Sequence, residues 1–131
     1  MIVSGYASIF NTIDMQNDVI LPSAIDIFTK NIRLLWQHNQ LKEIGIIRSF
    51  KSDEIGFFIT AEVFDTTSHG RFFTEKIKLG FSSLSIGYSV IKSYTDSDSG
   101  VRYIEKLKLI EVSVVSFGAN PAAKISSIRQ F

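Results

Sequence analysis

A serine hydroxyl, an imidazole and a carboxylate can together supply a nucleophile, a general base and a group that orients the base. Histidine limits that trio here, because the chain holds two histidines against seventeen serines. His38 closes the segment Leu34-Leu35-Trp36-Gln37-His38-Asn39. Alternation places it on one face with Leu34 and Trp36 and predicts a half-buried side chain. His69, beside Gly70 and Arg71, reads as a solvated residue at a helix start. Among the carboxylates Glu111 stands out, being the only one within Leu109–Ser116. A carboxylate in so apolar a run must find a partner, since an unpaired buried charge is costly. That partner is either a structural Lys, Arg or backbone donor or a catalytic group, and the pattern leaves both open. The serines are sorted by the strand that follows Gly80. Leu84, Ile86, Tyr88 and Val90 form an apolar face, whereas Ser83, Ser85, Gly87 and Ser89 form a small, polar one. Such a face is either a solvated edge or a place where a ligand backbone approaches.

Other chemistries fall away. With no cysteine there is no disulfide scaffold, CxxC redox site or thiolate zinc site. Two histidines without HExxH spacing give no basis for a protein-built zinc centre. Asp96-Ser97-Asp98-Ser99-Gly100 opens like a calcium loop but lacks the later acidic ligands, so a hairpin turn explains it. Asp14 and Asp18 read as turn and cap residues of one loop. No GxGxxG, GxxxxGK[ST] or basic–aromatic stripe occurs, and no cofactor or metal is expected. Fourteen basic and thirteen acidic residues leave a formal charge of +1, which gives no electrostatic pull toward nucleic acid or an anionic membrane. The apolar runs are strand-length and no charged-then-apolar leader opens the chain, so neither secretion nor membrane spanning is expected.

These residues must be positioned by a small domain. At 131 residues the chain reads as a single domain, 1–131, burying roughly two-thirds of its unfolded surface. Period-two alternation rich in β-branched and aromatic residues dominates. It predicts strands over Ile2–Phe10, Arg33–His38, Ile44–Phe50, Gly56–Phe64, Ser82–Tyr94 and Val101–Phe117, with Lys51–Ile55 and Thr95–Gly100 as hairpin connections. Pro22–Lys30 reads as a short helix carrying Ala24, Ile27 and Phe28. A second helix is expected after the N-cap candidates Thr66, Thr67 and Ser68, with Phe73 and Ile77 on one face and Gly80 as its stop. In the last long strand the apolar positions are odd up to Leu109 and even from Ile110, which signals a bulge there or burial on both faces. The predicted class is mainly β: one small, largely antiparallel β-barrel, closed or nearly so, with two or more short helices outside it. A mean hydropathy of +0.17 is high for a small monomer and points to a second copy covering part of the surface, at the helix face bearing Phe73 and Ile77.

Four blocks carry a family resemblance: Gly5-Tyr6-Ala7 with Phe10, Asp14 and Asp18; Leu35-Trp36-Gln37-His38-Asn39; Gly80 with Leu84-Ser85-Ile86-Gly87-Tyr88; and Leu109-Ile110-Glu111-Val112-Ser113-Val114-Val115 with Ala119-Asn120-Pro121-Ala122. Together, and in this order, they resemble the prohead (capsid maturation) proteases of tailed phages, the HK97 type, over Ile2 to about Lys124. The resemblance implies a serine peptidase related to the herpesvirus assemblins, with their helix-ringed β-barrel. It matches Ser85 to the nucleophile, His38 to the base and Glu111 to the third member, a position held by a second histidine in the herpesvirus branch. Ser83 is a competitor, but Ile86-Gly87 fits the pattern only after Ser85. Gly87 would leave room for a substrate strand beside the nucleophile. Phe117-Gly118-Ala119-Asn120 resembles the loop that supplies the oxyanion hole, which makes the backbone N–H groups of Ala119 and Asn120 the candidates. The implied substrate is the phage major capsid protein or a scaffold segment, cleaved inside the procapsid in the bacterial cytoplasm, and the implied assembly is a homo-oligomer, most simply a dimer. A non-catalytic capsid-assembly or scaffold-binding barrel that keeps the fold is the alternative.

Overall fold

The computed structural model describes residues 1–66 and 68–130, with the side chain of His69 left aside. The cap offered by Thr67 and the solvated reading of His69 therefore lie outside the described residues. The order of elements is β1 (Ile2–Ile9), β2 (Asp18–Ile20), β3 (Ile25–Trp36), β4 (Asn39–Ser52), β5 (Gly56–Val63), α1 (Ser68–Lys78), β6 (Ser83–Thr95), β7 (Arg102–Val115) and β8 (Ile125–Arg129). The protein is mainly β, with one helix among the described residues.

All eight strands join one sheet in the order β2-β7-β3-β4-β5-β1-β8, with β6 on the other side of β7. The sheet curls into a half-barrel. Its two flanks touch where Ser83 bridges Lys124 and where the Leu84 N–H donates to Ala123 O at 2.9 Å. Pairing is antiparallel except where β7 runs parallel to β2 and β3. The core lies within the curl and includes Val3, Leu34, Phe57, Ile59, Leu84, Ile104, Leu107, Val112 and Val114.

The segment Pro22–Lys30 is a strand and not a helix. Pro22 sits in a turn closed by the Ala24 N–H on Leu21 O at 3.0 Å, and the chain then pairs with β7. Ile25, Ile27 and Thr29 are β-branched, and parallel pairing with β7 outweighs the weak helical spacing of three apolar residues. Asp18 likewise leaves the turn assigned to it. It opens β2, is buried, and receives the Arg102 guanidinium through two hydrogen bonds of 2.9 and 3.0 Å.

The helix α1 forms where its spacing predicts. Its stop is a two-bond cap: the Gly80 N–H donates to Ile77 O at 3.0 Å and the Phe81 N–H to Lys76 O at 3.1 Å. Gly80 takes φ +105°, which a side chain would resist. Phe73 and Ile77 are 2% and 1% exposed, so this face is spent on the chain's own core and is not open to a second copy. The expected association through that face is thereby corrected. The helix instead supports the site end of β3, because Trp36 packs between Phe73 (4.7 Å) and Phe81 (5.0 Å). Phe73→Ala would cost about 3–5 kcal/mol and loosen the end of β3.

Candidate active site

Strand β7 is the spine of the site. From Glu111 to Val115 every residue is buried, because β6 flanks the segment on one side and β3 on the other. The parity change at Leu109–Ile110 has its cause in the register. Gly87 pairs with Glu111 and Tyr88 with Leu109, so Ile110 bulges out. Beyond the bulge Val112 and Val114 face the core, and Glu111 and Ser113 face the other way, level with Gly87 and Ser85 across the strand pair. Two buried polar side chains thus stand directly beside the small, polar face of β6.

His38 reaches this face from a tight turn and not from a strand. Trp36 pairs with Asn39, and between them Gln37 and His38 take φ +54° and +58°. Its side chain is 40% exposed, which corrects the half-buried strand position expected from alternation. Left-handed backbone at a residue other than glycine persists only when its surroundings impose it. Here β7 imposes it. The Gln37 N–H donates to Val114 O at 2.9 Å and the His38 N–H to Ser113 Oγ at 3.0 Å. The Gln37 amide bonds the Ser116 hydroxyl and accepts the Ser116 N–H at 3.1 Å.

So held, the imidazole lies between two groups. Its Nδ1–H donates to Glu111 Oε1 at 2.5 Å, and its Nε2 lies 3.0 Å from Ser85 Oγ, placed to accept the hydroxyl proton. Glu111 is 3% exposed, and its second oxygen accepts the Ser113 hydroxyl at 2.8 Å. Among the described residues its ion-pair partner is His38, not a Lys or Arg. Gly87 is needed here for a reason other than the one expected. A Cβ on Gly87 would stand 2.1 Å from Glu111 Oε1, so the missing side chain first makes room for the carboxylate.

Sequence reasoning passed over Ser113. A signal existed, since the residue two positions along a strand from a buried carboxylate shares its face. Ser83 shows no bond to His38; it pairs with Val115 and bridges Lys124. Ala119 and Asn120 lie in the loop after β7 and line one pocket with Ser85 and His38. Their carbonyls accept the N–H groups of Met15 and Ala123, while the described hydrogen bonds give no acceptor to their own N–H groups.

That pocket measures about 100 Å³ and occupies the seam between β6 and β1, where Ala7, Ser8 and Ile9 face Leu84 and Ser85. A shallower cleft of about 490 Å³ continues past His38 along Ile86, Gly87, Tyr88 and Val90. Burial pushes the Tyr88 phenol up to about 12, with the carboxylates of Asp18 and Asp14 adding to it, so Tyr88 presents a protonated hydroxyl near neutral pH. Asp14 itself is raised, chiefly by burial, although its carboxylate accepts the N–H groups of Gln16 and Asp18. Among the described residues no three His, Cys, Asp or Glu gather in a way that could hold a metal ion.

A serine hydroxyl on an imidazole that is backed by a buried carboxylate is the arrangement of an acyl-transfer site. Comparison with known proteins agrees with that chemistry: a family model described as caudovirus prohead serine protease matches residues 1–131. The chain belongs to this family. A relative, the prohead protease of Enterobacteria phage HK97, is 29% identical over 98% of this chain. The chain spans 60% of that relative's length. None of the described helices is long and apolar enough to cross a membrane.

Proposed function

We propose that the chain is a serine endopeptidase that cleaves the capsid protein, or a scaffold segment of it, during maturation of a phage procapsid in the bacterial cytoplasm, and that it also processes itself. The observation that carries this reading is the unbroken series from Ser85 Oγ through both ring nitrogens of His38 to the buried Glu111 carboxylate. In the mechanism, Ser85 Oγ attacks the scissile carbonyl carbon as its proton passes to His38 Nε2. Glu111 fixes the tautomer that keeps Nε2 free and balances the imidazolium that forms. The protonated Nε2 then delivers its proton to the leaving amine, and a water activated by the same nitrogen releases the acyl group from Ser85. The oxyanion falls to the backbone N–H groups of Ala119 and Asn120, one such donor being worth about 3–4 kcal/mol.

The substrate lies extended along β6. The Leu84 N–H points away from β7, toward Ala123, so by alternation the peptide groups of Ile86 point away from β7 as well, along the cleft. A peptide strand can pair with that edge while one of its side chains enters the pocket beside Ser85. The test is reaction with a fluorophosphonate, mapping of the labelled residue, and incubation with the capsid protein encoded alongside. Labelling at Ser85 and cleavage blocked by the reagent are expected. Labelling elsewhere, or none with cleavage intact, would refute the reading.

A further inference from the structure

Among the described residues, the hydroxyl of Ser113 bonds both halves of the base–acid pair. It accepts the backbone N–H of His38 at 3.0 Å and donates to Glu111 Oε2 at 2.8 Å. Ser113 is fully buried, so water does not stand in for either bond. It pairs with Ser85 on one side and with Leu35 on the other, which centres it beneath the reacting groups while leaving it out of both clefts. We propose that Ser113 is a positioning residue for the reaction, a latch that fixes the His38 turn and the rotation of the Glu111 carboxylate with a single hydroxyl. The proposal rests on the Ser85–His38–Glu111 reading.

Two degrees of freedom are removed by that latch. The carboxylate can turn about its last bond, and a donor on Oε2 holds Oε1 toward His38 Nδ1. The turn can shift as a body, since Gln37 and His38 both have positive φ, and the bond to the His38 N–H ties the base to β7 at the level of Ser85. In Ser113→Ala the methyl group offers neither donor nor acceptor. A buried carboxylate oxygen and a backbone N–H then lose their partners together, and the ring is free to drift from its 3.0 Å approach to Ser85.

The experiment uses the full chain and a fluorophosphonate as probe, reading the labelling rate at Ser85 and the proton NMR signal of the His38 Nδ1–H. A displacement of about 1 Å at a reacting group costs on the order of 10²-fold in rate. Ser113→Ala should therefore label Ser85 about 10- to 100-fold more slowly in the folded fraction, with the Nδ1–H signal lost or moved upfield. Ser113→Cys, which keeps a weak donor and acceptor of similar shape, should fall between. A folded Ser113→Ala protein with the parent labelling rate and an unmoved signal overturns the proposal. So does a loss that only tracks the unfolded fraction measured by thermal melting. If Ser113→Ala does not fold, the same two readings on Ser113→Cys decide. Failure of the underlying reading shows separately, as absence of labelling at Ser85 in the parent protein.

Discussion

Two hairpin turns of this chain solve the same problem in opposite ways. The turn between β6 and β7 holds itself closed mainly through its own residues, with one outside tie, the Asn17 amide donating to Gly100 O at 3.0 Å. Gly100 takes the left-handed φ of +74°, its N–H donates to Asp96 O at 2.8 Å, and the Asp96 carboxylate accepts from the Asp98 and Ser99 N–H groups and the Ser99 hydroxyl. The turn between β3 and β4 does not. It puts Gln37 and His38 where glycine or asparagine is favoured, at a cost of roughly 1–3 kcal/mol per residue, and takes its fastening from Ser113 and Val114 of β7 and from Ser116 just after it. A turn closed mainly by its own residues keeps its shape with little help from its neighbours. A turn fastened by a neighbouring strand is tied to one place, and this one is tied over Ser85 and Glu111.

The comparison is tested most severely at the two groups proposed to react. Ser85→Ala and His38→Ala should each lower the rate of cleavage on the order of 10⁴- to 10⁶-fold while the melting temperature stays close to the parent value. The double variant should be little worse than either single one, because the two groups act as a unit. Rates measured on the capsid substrate decide this. Two losses that multiply would mean that Ser85 and His38 work separately.

A next effect comes from a residue that touches no substrate bond. Gly87→Ala sets a Cβ against Oε1 of the Glu111 carboxylate, whose Oε1 is held by His38 and whose Oε2 is held by the Ser113 hydroxyl, so the group cannot retreat without breaking one of those bonds. Its activity should therefore fall toward that of Glu111→Gln, itself expected to lose up to about 10⁴-fold, less than Ser85→Ala. Single-turnover rates of the three variants give the order. Full activity in Gly87→Ala would show that the carboxylate position is not critical.

Much of this was legible from residue types alone. The parity change at Leu109–Ile110 announced a bulge or burial on both faces, and the register and the burial from Glu111 to Val115 show both. The spacing of Phe73, Ile77 and Gly80 announced α1 and its stop, and the small, polar face of β6 lies beside the buried Glu111 and Ser113. What escaped was set by partners distant in sequence. The strand at Pro22–Lys30 exists because β7 pairs with it in parallel, a contact that local spacing does not report. The central residues of the His38 turn, Gln37 and His38, are not the glycine, asparagine or aspartate that announce such a turn, since its shape is imposed by β7. Asp18 looked like a turn residue until Arg102, remote in the chain, claimed it.

Smaller effects belong to the turn between β6 and β7. Gly100→Ala should cost about 1 kcal/mol of stability, because the added Cβ meets only Asn17 Nδ2 at 3.8 Å and the penalty is the left-handed backbone itself. Its rate of cleavage should equal that of the parent protein, as measured on the folded fraction. A loss of activity there would join this turn to the site and dissolve the contrast between the two.

The smallest expected effect is a dependence on pH. The Ser99 hydroxyl, and after it the N–H groups of Asp98 and Ser99, hold the Asp96 carboxyl below the usual carboxylate range despite a small opposing desolvation. A group whose pKa is lower folded than unfolded stabilises the folded state above its unfolded value and loses that contribution as pH falls through its folded one. Asp96→Ala should thus lower the melting temperature slightly at neutral pH, and the gap from the parent protein should close as the pH drops below the ordinary carboxylate range. Melting curves of both proteins across that range measure it. A gap that stays constant would mean that the turn is fastened by its backbone bonds and by Asn17 on Gly100 O, and that the carboxylate bonds add nothing.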